Sequence, residues 1–277
     1  MNKLHSLLLL VAVAFTIPAP AFADSKTTLT WYGHSAFKVV TPKGKVLVFD
    51  PWLSNPMNPD AKNGVNAVGN VDYILITHGH FDHVGETVEL AKKTKAHLVT
   101  NFELGGNMVR LLGFPKDQAG LDTLGNIGGA LPIADGEVVV NFVAAVHSSG
   151  LDAGKDQEAI AYGGNPVGFV IQIKNGPTIY DTGDTAFFGD MAQIGTKFHP
   201  DVALINIGGH FGMEPADAAL AAKAVQAKLA IPHHYKTFPI LTQSADGFFK
   251  ALDQKKIAHL EMKPGQTVSF DGTKLGK

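Results

Sequence analysis

The chain has 277 residues, 45% of them hydrophobic and 17% charged, with no cysteine and a formal net charge of −2. That length permits one large domain or two small ones with a substantial core, and the composition excludes a disordered chain. The lack of cysteine excludes disulfides, cysteine-ligated zinc, iron–sulfur clusters and a thiol nucleophile, while 23 Lys+Arg against 25 Asp+Glu leaves no basic excess for nucleic acid or an anionic membrane.

Lys3 opens a short positive region, Leu7 to Ala14 is an apolar run, and Pro18 and Pro20 precede Ala21-Phe22-Ala23. This is the order of a secretory signal peptide with a small-x-small cleavage site. Residues 1–23 are therefore expected to be removed before Asp24, leaving a mature domain over 24–277 with one positive charge fewer. An uncleaved anchor is the alternative. No later segment has the ~18 unbroken apolar residues of a membrane span. The mature protein is expected to be periplasmic or secreted, with no membrane association after cleavage.

In the mature chain, short apolar runs alternate with Gly, Pro, Asn and Asp. Strands are predicted over Leu29–Tyr32, Ala36–Val40 and Val46–Phe49, the first pair of these followed by a Thr41-Pro42-Lys43-Gly44 turn. Residues 53–70 read as a loop. Tyr73–Thr77 is a buried strand, Glu86–Lys93 a helix, His97–Thr100 a strand and Leu104–Leu112 a second helix. Val138–Val146 reads as a strand, and the polar, Gly-rich 148–166 as a loop over a site. Gly168–Ile173 and Thr178–Asp181 form a hairpin-like pair. Val202–Ile207 is a strand, Pro215 starts an Ala-rich helix to Lys228, and Leu229–Pro232 is a short strand. Ser244–Asp253 is a helix and Thr267–Phe270 a last strand. Each half runs strands first and then alternates strands with helices. Packed sheets with helices outside are the simplest arrangement.

The 12 histidines are where chemistry is concentrated, above all in Thr77-His78-Gly79-His80-Phe81-Asp82-His83. Four potential metal ligands fall within six residues directly after an apolar strand. Imidazole nitrogen and carboxylate oxygen suit Zn²⁺, Mn²⁺ or iron. His78 and His80, two apart, face the same way if the strand continues, while Asp82 and His83 fall on the turn into a helix and can face a second ion. Gly79 and Gly85 permit the bends required.

The cluster resembles the HxHxDH signature of the metallo-β-lactamase superfamily. His147 after the Val138–Val146 strand, Asp184 in Tyr180-Asp181-Thr182-Gly183-Asp184-Thr185, His234 in Pro232-His233-His234-Tyr235, and Asp50 in Phe49-Asp50-Pro51 match its later motifs in order. Finer segments, Trp31-Tyr32-Gly33-His34-Ser35-Ala36, Gly208-Gly209-His210-Phe211 and His234-Tyr235-Lys236-Thr237-Phe238-Pro239, resemble a branch of metal-dependent hydrolases similar to L-ascorbate-6-phosphate lactonase.

The resemblance implies an α/β fold, the four-layer αβ/βα sandwich of the superfamily. It implies that His78, His80 and His147 hold one divalent metal ion, that Asp82, His83 and His234 hold a second, and that Asp184 bridges both. Zinc is the default, with manganese or iron also suited. Two such ions would share a hydroxide as nucleophile, and Asp82 would also move a proton between that water and the leaving group. His233 competes with His234, and strand alternation sends the two to opposite faces. Asp181 competes with Asp184 and could instead hydrogen-bond a ligand histidine. His34 and His210 either bind a substrate oxyanion or phosphate and donate a proton, or are structural.

The expected activity is hydrolysis of a small-molecule substrate, a lactone or a phosphorylated compound. A β-lactamase or phosphodiesterase on the same site, or a non-catalytic metal-binding protein, is the alternative. The flavin-partnered di-iron relatives of the superfamily carry glutamate where this chain has His80.

Overall fold

The computed structural model describes residues 26–153 and 160–276. The expected signal peptide lies outside the described residues, as does the middle of the 148–166 loop.

Strand alternation builds the first sheet. It contains β1 (Thr27–Trp31), β2 (Phe37–Val40), β3 (Val46–Phe49), β4 (Tyr73–Leu75), β5 (His97–Asn101) and β6 (Leu124–Gly125). Leu29, Trp31, Leu47, Phe49, Leu75 and Val99 point to one face and join the main core, while Val48, Ile74, Ile76 and Leu98 point to the other. The second sheet uses β7 (Ala130–Ile133), β8 (Val138–Ala144), β11 (Val167–Ile173), β12 (Thr178–Asp181), β13 (Val202–Asn206), β14 (Leu229–His233) and β15 (Ala258–His259). Between β8 and β11, β9 (Gly150–Leu151) and β10 (Ala161–Tyr162) pair with each other inside the predicted loop. β16 (Thr267–Asp271) and β17 (Lys274–Leu275) return to the first sheet, pairing beside β1.

The sheet orders are β17-β16-β1-β2-β3-β4-β5-β6 and β15-β14-β13-β12-β11-β8-β7. Each sheet begins with antiparallel neighbours and ends with three parallel pairs, from β3 onward and from β12 onward. Parallel pairs need crossovers, and the crossovers carry the helices to the outer faces. The strands-then-alternation pattern of each half is thus the signature of two similar halves stacked sheet on sheet.

The helices are α1 (Phe81–Val84), α2 (Thr87–Thr94), α3 (Phe102–Leu112), α4 (Met191–Phe198), α5 (Pro215–Ala224) and α6 (Asp246–Gln254). Leu90, Ala91, Leu104 and Met108 of α2 and α3 pack on the outward face of the first sheet in a core of their own. Ala218, Ala222, Phe248 and Leu252 of α5 and α6 join the main core through the second sheet. This is the four-layer α/β sandwich. α3 is bounded by local chemistry: the Asn101 side chain accepts from Leu104 N at 2.8 Å, and Gly113 ends the helix at φ 69°.

Most predicted elements stand within two residues. Four differences have physical causes. β4 ends before Thr77 because the N–H and hydroxyl of that residue turn to the Asp50 side chain. β8 stops at Ala144 because Val146 N turns to Thr185 Oγ1. α5 ends at Ala224, four residues early, because Gln226 adopts φ 55° and the chain must rise to join β14 beside Asp201. α4 was not anticipated: it is two turns long and buries only Met191, Ile194 and Gly195, too short a stripe to stand out from a loop.

Among the described residues, no helix is long and apolar enough to cross a membrane.

Candidate metal centre

The expected ligands all follow strand ends on one edge of the sandwich. His78 and His80 follow β4, Asp82 and His83 ride on α1, His147 follows β8, Asp184 follows β12 and His234 follows β14. Their donor atoms converge. His78, His80 and His147 form one set, and His34, Asp82, His83 and His234 a second, with donor atoms in each set within 4.8 Å of one another. Asp184 lies between the sets. Its Oδ2 is 3.0 Å from His234 Nε2, 3.3 Å from His83 Nε2 and 3.7 Å from His147 Nε2. Asp184 Oδ1 accepts from Asn206 Nδ2, which fixes the carboxylate plane.

The rings are aimed by a hydrogen-bond relay. Asp50 accepts from Thr77 N at 2.8 Å and Thr77 Oγ1 at 2.7 Å, and from His83 Nδ1 at 2.6 Å. The hydroxyl of Thr77 has spent its proton on Asp50, so it accepts from His78 Nδ1 at 3.0 Å. Both histidines therefore carry their Nδ1 proton outward and turn Nε2 toward the centre.

Backbone strain does the rest of the aiming. Asp50 and His234 sit at φ 39° and 58°, left-handed values that turn each side chain off its strand. Gly85, at φ 40°, closes α1 where a Cβ would lie 2.5 Å from Pro51 O and Trp52 Cα. Gly79 has ordinary φ; its need is close approach, since a Cβ there would meet Gly150 O at 3.1 Å.

Charge follows burial and pairing. Burial pushes the His78, His80 and His147 rings down, which keeps them neutral, as a metal ligand must be. Burial also opposes charge on His83 and His234, but the neighbouring carboxylates together outweigh it, Asp184 with Asp50 at His83 and Asp184 with Asp82 at His234. His83 is held well above the ordinary imidazole value and His234 at about 9. Asp184 is pushed up by burial but held well below the carboxylate range by His234 and His83.

These residues fit a cation. His83 Nε2 and both ring nitrogens of His234 are buried without a well-directed hydrogen bond, despite the short ion-pair distances to Asp184. Such orphaned nitrogens are costly unless something electrophilic sits among them. The donor set is imidazole and carboxylate only, the chemistry of Zn²⁺, Mn²⁺ or iron.

The remaining histidines near the centre take distinct places. His34 is buried, and its Nε2 lies 3.0 Å from Asp82 Oδ2 and its Nδ1 2.8 Å from Thr237 Oγ1. Burial, with the His234 charge, lowers its pKa to about 4, so the ring is neutral. Ionised Asp82 can only accept, hence Nε2 carries the proton and Thr237 donates to Nδ1. His210 is exposed, lies in none of the donor sets and packs edge-on against Phe211. Of the two readings open for it, substrate contact or a structural role, the structure shows only its place beside Phe211, a residue of the cavity wall. His233 points away from the centre, with Nδ1 3.1 Å from Ser35 Oγ and the ring edge against Phe37. Asp181 faces His233 at 3.7 Å, so the residue that supports a clustered histidine is Asp50. Sequence reading missed Asn206 and Thr237. The only signal for Asn206 was its position at a strand end on the same edge, and Thr237 had none beyond the segment that contains it.

Residues 45–235 match the beta-lactamase superfamily domain family. The chain belongs to the metallo-β-lactamase superfamily. Within it, the chain falls in the UPF0173 family of metal-dependent hydrolases. It is 45% identical over 273 residues to the member from Thermodesulfovibrio yellowstonii, covering 98% of this chain and 100% of that one. It is 50% identical over 252 residues to the member from Anaeromyxobacter sp. strain K, covering 91% and 89%. Among solved structures it is similar to Igni18, a metallo hydrolase from Ignicoccus hospitalis, at 31% identity and TM-score 0.76 over 89% of this chain and 99% of that one.

Proposed function

We propose that this superfamily member is an exported hydrolase with two divalent metal ions, zinc first among the candidates, acting on a lactone or a phosphorylated small molecule. His78, His80 and His147 would hold one ion, Asp82, His83 and His234 the other, and Asp184 both. The observation that carries this reading is the reach of one Asp184 oxygen to ring nitrogens of both donor sets, 3.7 Å to His147 and 3.0 Å to His234. Two bound divalent ions supply a water acidic enough to ionise near neutral pH and a positive field for the oxyanion of an acyl or phosphoryl centre.

The chain's own residues do the remaining work. Asp82 lines the cavity over the centre, where its carboxylate would take a proton from water and return it to a leaving oxygen. His34 holds the Asp82 carboxylate in place through Nε2–H. Asp50 and Thr77 keep the His78 and His83 rings oriented.

The lactone reading rests on the Trp31–Ala36 and His234–Pro239 segments, which resemble the L-ascorbate-6-phosphate lactonase branch. Export rests on the signal-like residues 1–23. The deciding experiment is metal content by mass spectrometry on mature protein purified without chelator. About two ions per chain, with hydrolysis of a lactone, is the expected result. One ion at saturation, or no uptake of Zn²⁺, Mn²⁺ or Fe²⁺, would remove the dinuclear reading. N-terminal sequencing of exported protein should begin at Asp24.

A further inference from the structure

We propose that the cavity over the metal centre binds a straight apolar chain of the substrate. The substrate class is then a neutral ester or lactone with a medium-length acyl chain, and a phosphorylated one is disfavoured. This inference rests on the hydrolase reading above for its chemistry, and on the cavity alone for its binding claim.

The cavity has a volume of about 830 Å³ and opens directly onto His80, Asp82, His147, Asp184 and His234. That is room for a drug-sized molecule, far more than an acetyl ester fills. Beyond the donor residues its wall is made of Phe81, Ile160, Phe211, Phe238, Pro239 and Ile240. Phe81 is 62% exposed, Ile160 75%, Phe211 53% and Ile240 55%. Large apolar side chains left exposed singly are ordinary, but these gather on one concavity, which marks a binding surface.

Phe81 shows how deliberate the placement is. It lies between His80 and Asp82, on the one turn of helix whose next three residues are buried. Its ring packs edge-on to Trp52 at 5.8 Å, and Trp52 stacks on Phe238 at 5.5 Å and 16°. Three separate segments thus converge on an aromatic wall beside the centre.

The chemistry of the described wall argues against the phosphorylated alternative. A phosphate remote from the scissile bond needs its own Arg, Lys or paired donors. Among the described residues lining the cavity there is no Lys or Arg. In hydrolysis the acyl C–O bond breaks, the water oxygen bonds to the acyl carbon, and a water proton passes to the leaving alcohol oxygen. The products are an acid and an alcohol, joined in one molecule for a lactone, with the apolar chain still in the cavity.

The test has two arms on the metal-loaded protein. Calorimetry measures binding of straight-chain carboxylates from acetate to decanoate, and kinetics measures kcat/KM for p-nitrophenyl esters of the same acids. Each buried methylene should raise affinity and kcat/KM roughly fourfold. Ile240→Ser and Phe211→Ser should flatten both slopes. Rising affinity without hydrolysis of any ester or lactone would support the apolar site and overturn the hydrolase reading. A flat carboxylate series would overturn the proposal, and a dimer in sedimentation alongside it would assign the apolar rim to a second copy of the chain. Higher kcat/KM for a short ester bearing a remote phosphate than for its unphosphorylated parent would also overturn it.

Discussion

Asp50 and His83 meet at 2.6 Å with both side chains fully buried, although they lie on different crossovers of the first sheet. The same carboxylate holds Thr77 by its N–H and its hydroxyl, so one residue orients the loop that carries the candidate ligands. Asp50→Ala should lower metal affinity about 10–100-fold, the range for lost outer partners of ligand histidines. It should also cost about 3 kcal/mol of stability, because Thr77 and His83 lose a buried acceptor. Chelator competition and denaturant unfolding measure the two effects. Unchanged metal affinity in a folded variant would refute the relay.

Asp184 and His80 should differ in kind. Asp184→Ala should lower occupancy of both ions, because its Oδ2 reaches His83, His147 and His234 together. His80→Ala should empty only the set it shares with His78 and His147 and should abolish hydrolysis, leaving the fold intact. Metal stoichiometry by mass spectrometry distinguishes them, and equal losses in the two variants would contradict the bridging role.

His34 donates to Asp82 and is therefore a positioning residue. His34→Ala should retain two ions at saturation with affinity lowered roughly tenfold. His34→Gln, which keeps a donor on a flexible stem, should recover part of the loss. Loss of an ion from His34→Ala at saturating metal would instead make His34 a ligand.

The pH dependence follows from His234. Burial alone would lower its pKa, and the Asp184 and Asp82 carboxylates together override this, holding the ring at about 9 against an ordinary value of 6.5. In chelator-stripped protein this contributes stability that is fully present below about 6.5 and is lost as pH rises through about 9. A bound ion needs neutral rings, and His83 is also held above its ordinary value, so loading near pH 7 should release at least one proton. Apparent metal affinity should then climb at least roughly tenfold per pH unit as pH rises above 7. Calorimetry in buffers of different ionisation enthalpy counts the protons. Zero proton release at pH 7 would show that His234 is already neutral.

The residues from Thr77 to His83 declared a metal site in one dimension, because ligands at that spacing after an apolar strand share one loop. His147, Asp184 and His234 were legible for a related reason: each follows a strand end, and neighbouring strand ends in a sandwich lie on one edge. The alternation of apolar residues also located most strands and the helices with long buried stripes. Short elements such as α4, β15 and β17 were not legible, since two turns or two residues bury too little to leave a period.

Whether a histidine ligates, supports or merely fills space was a matter of tertiary structure. His34 and His210 looked alike in sequence. One lies 3.0 Å from Asp82 in the interior, and the other is exposed beside Phe211. The same holds for Asn206 and Thr237, whose partners lie 22 and 203 residues away. Phe81 is a plain apolar residue in the sequence; only the fold leaves it standing in a cavity wall. Residue type and local spacing determine which groups can bind a metal. Which atoms meet, and which protons they keep, depends on chain segments brought together by packing, and that information has no local period to read.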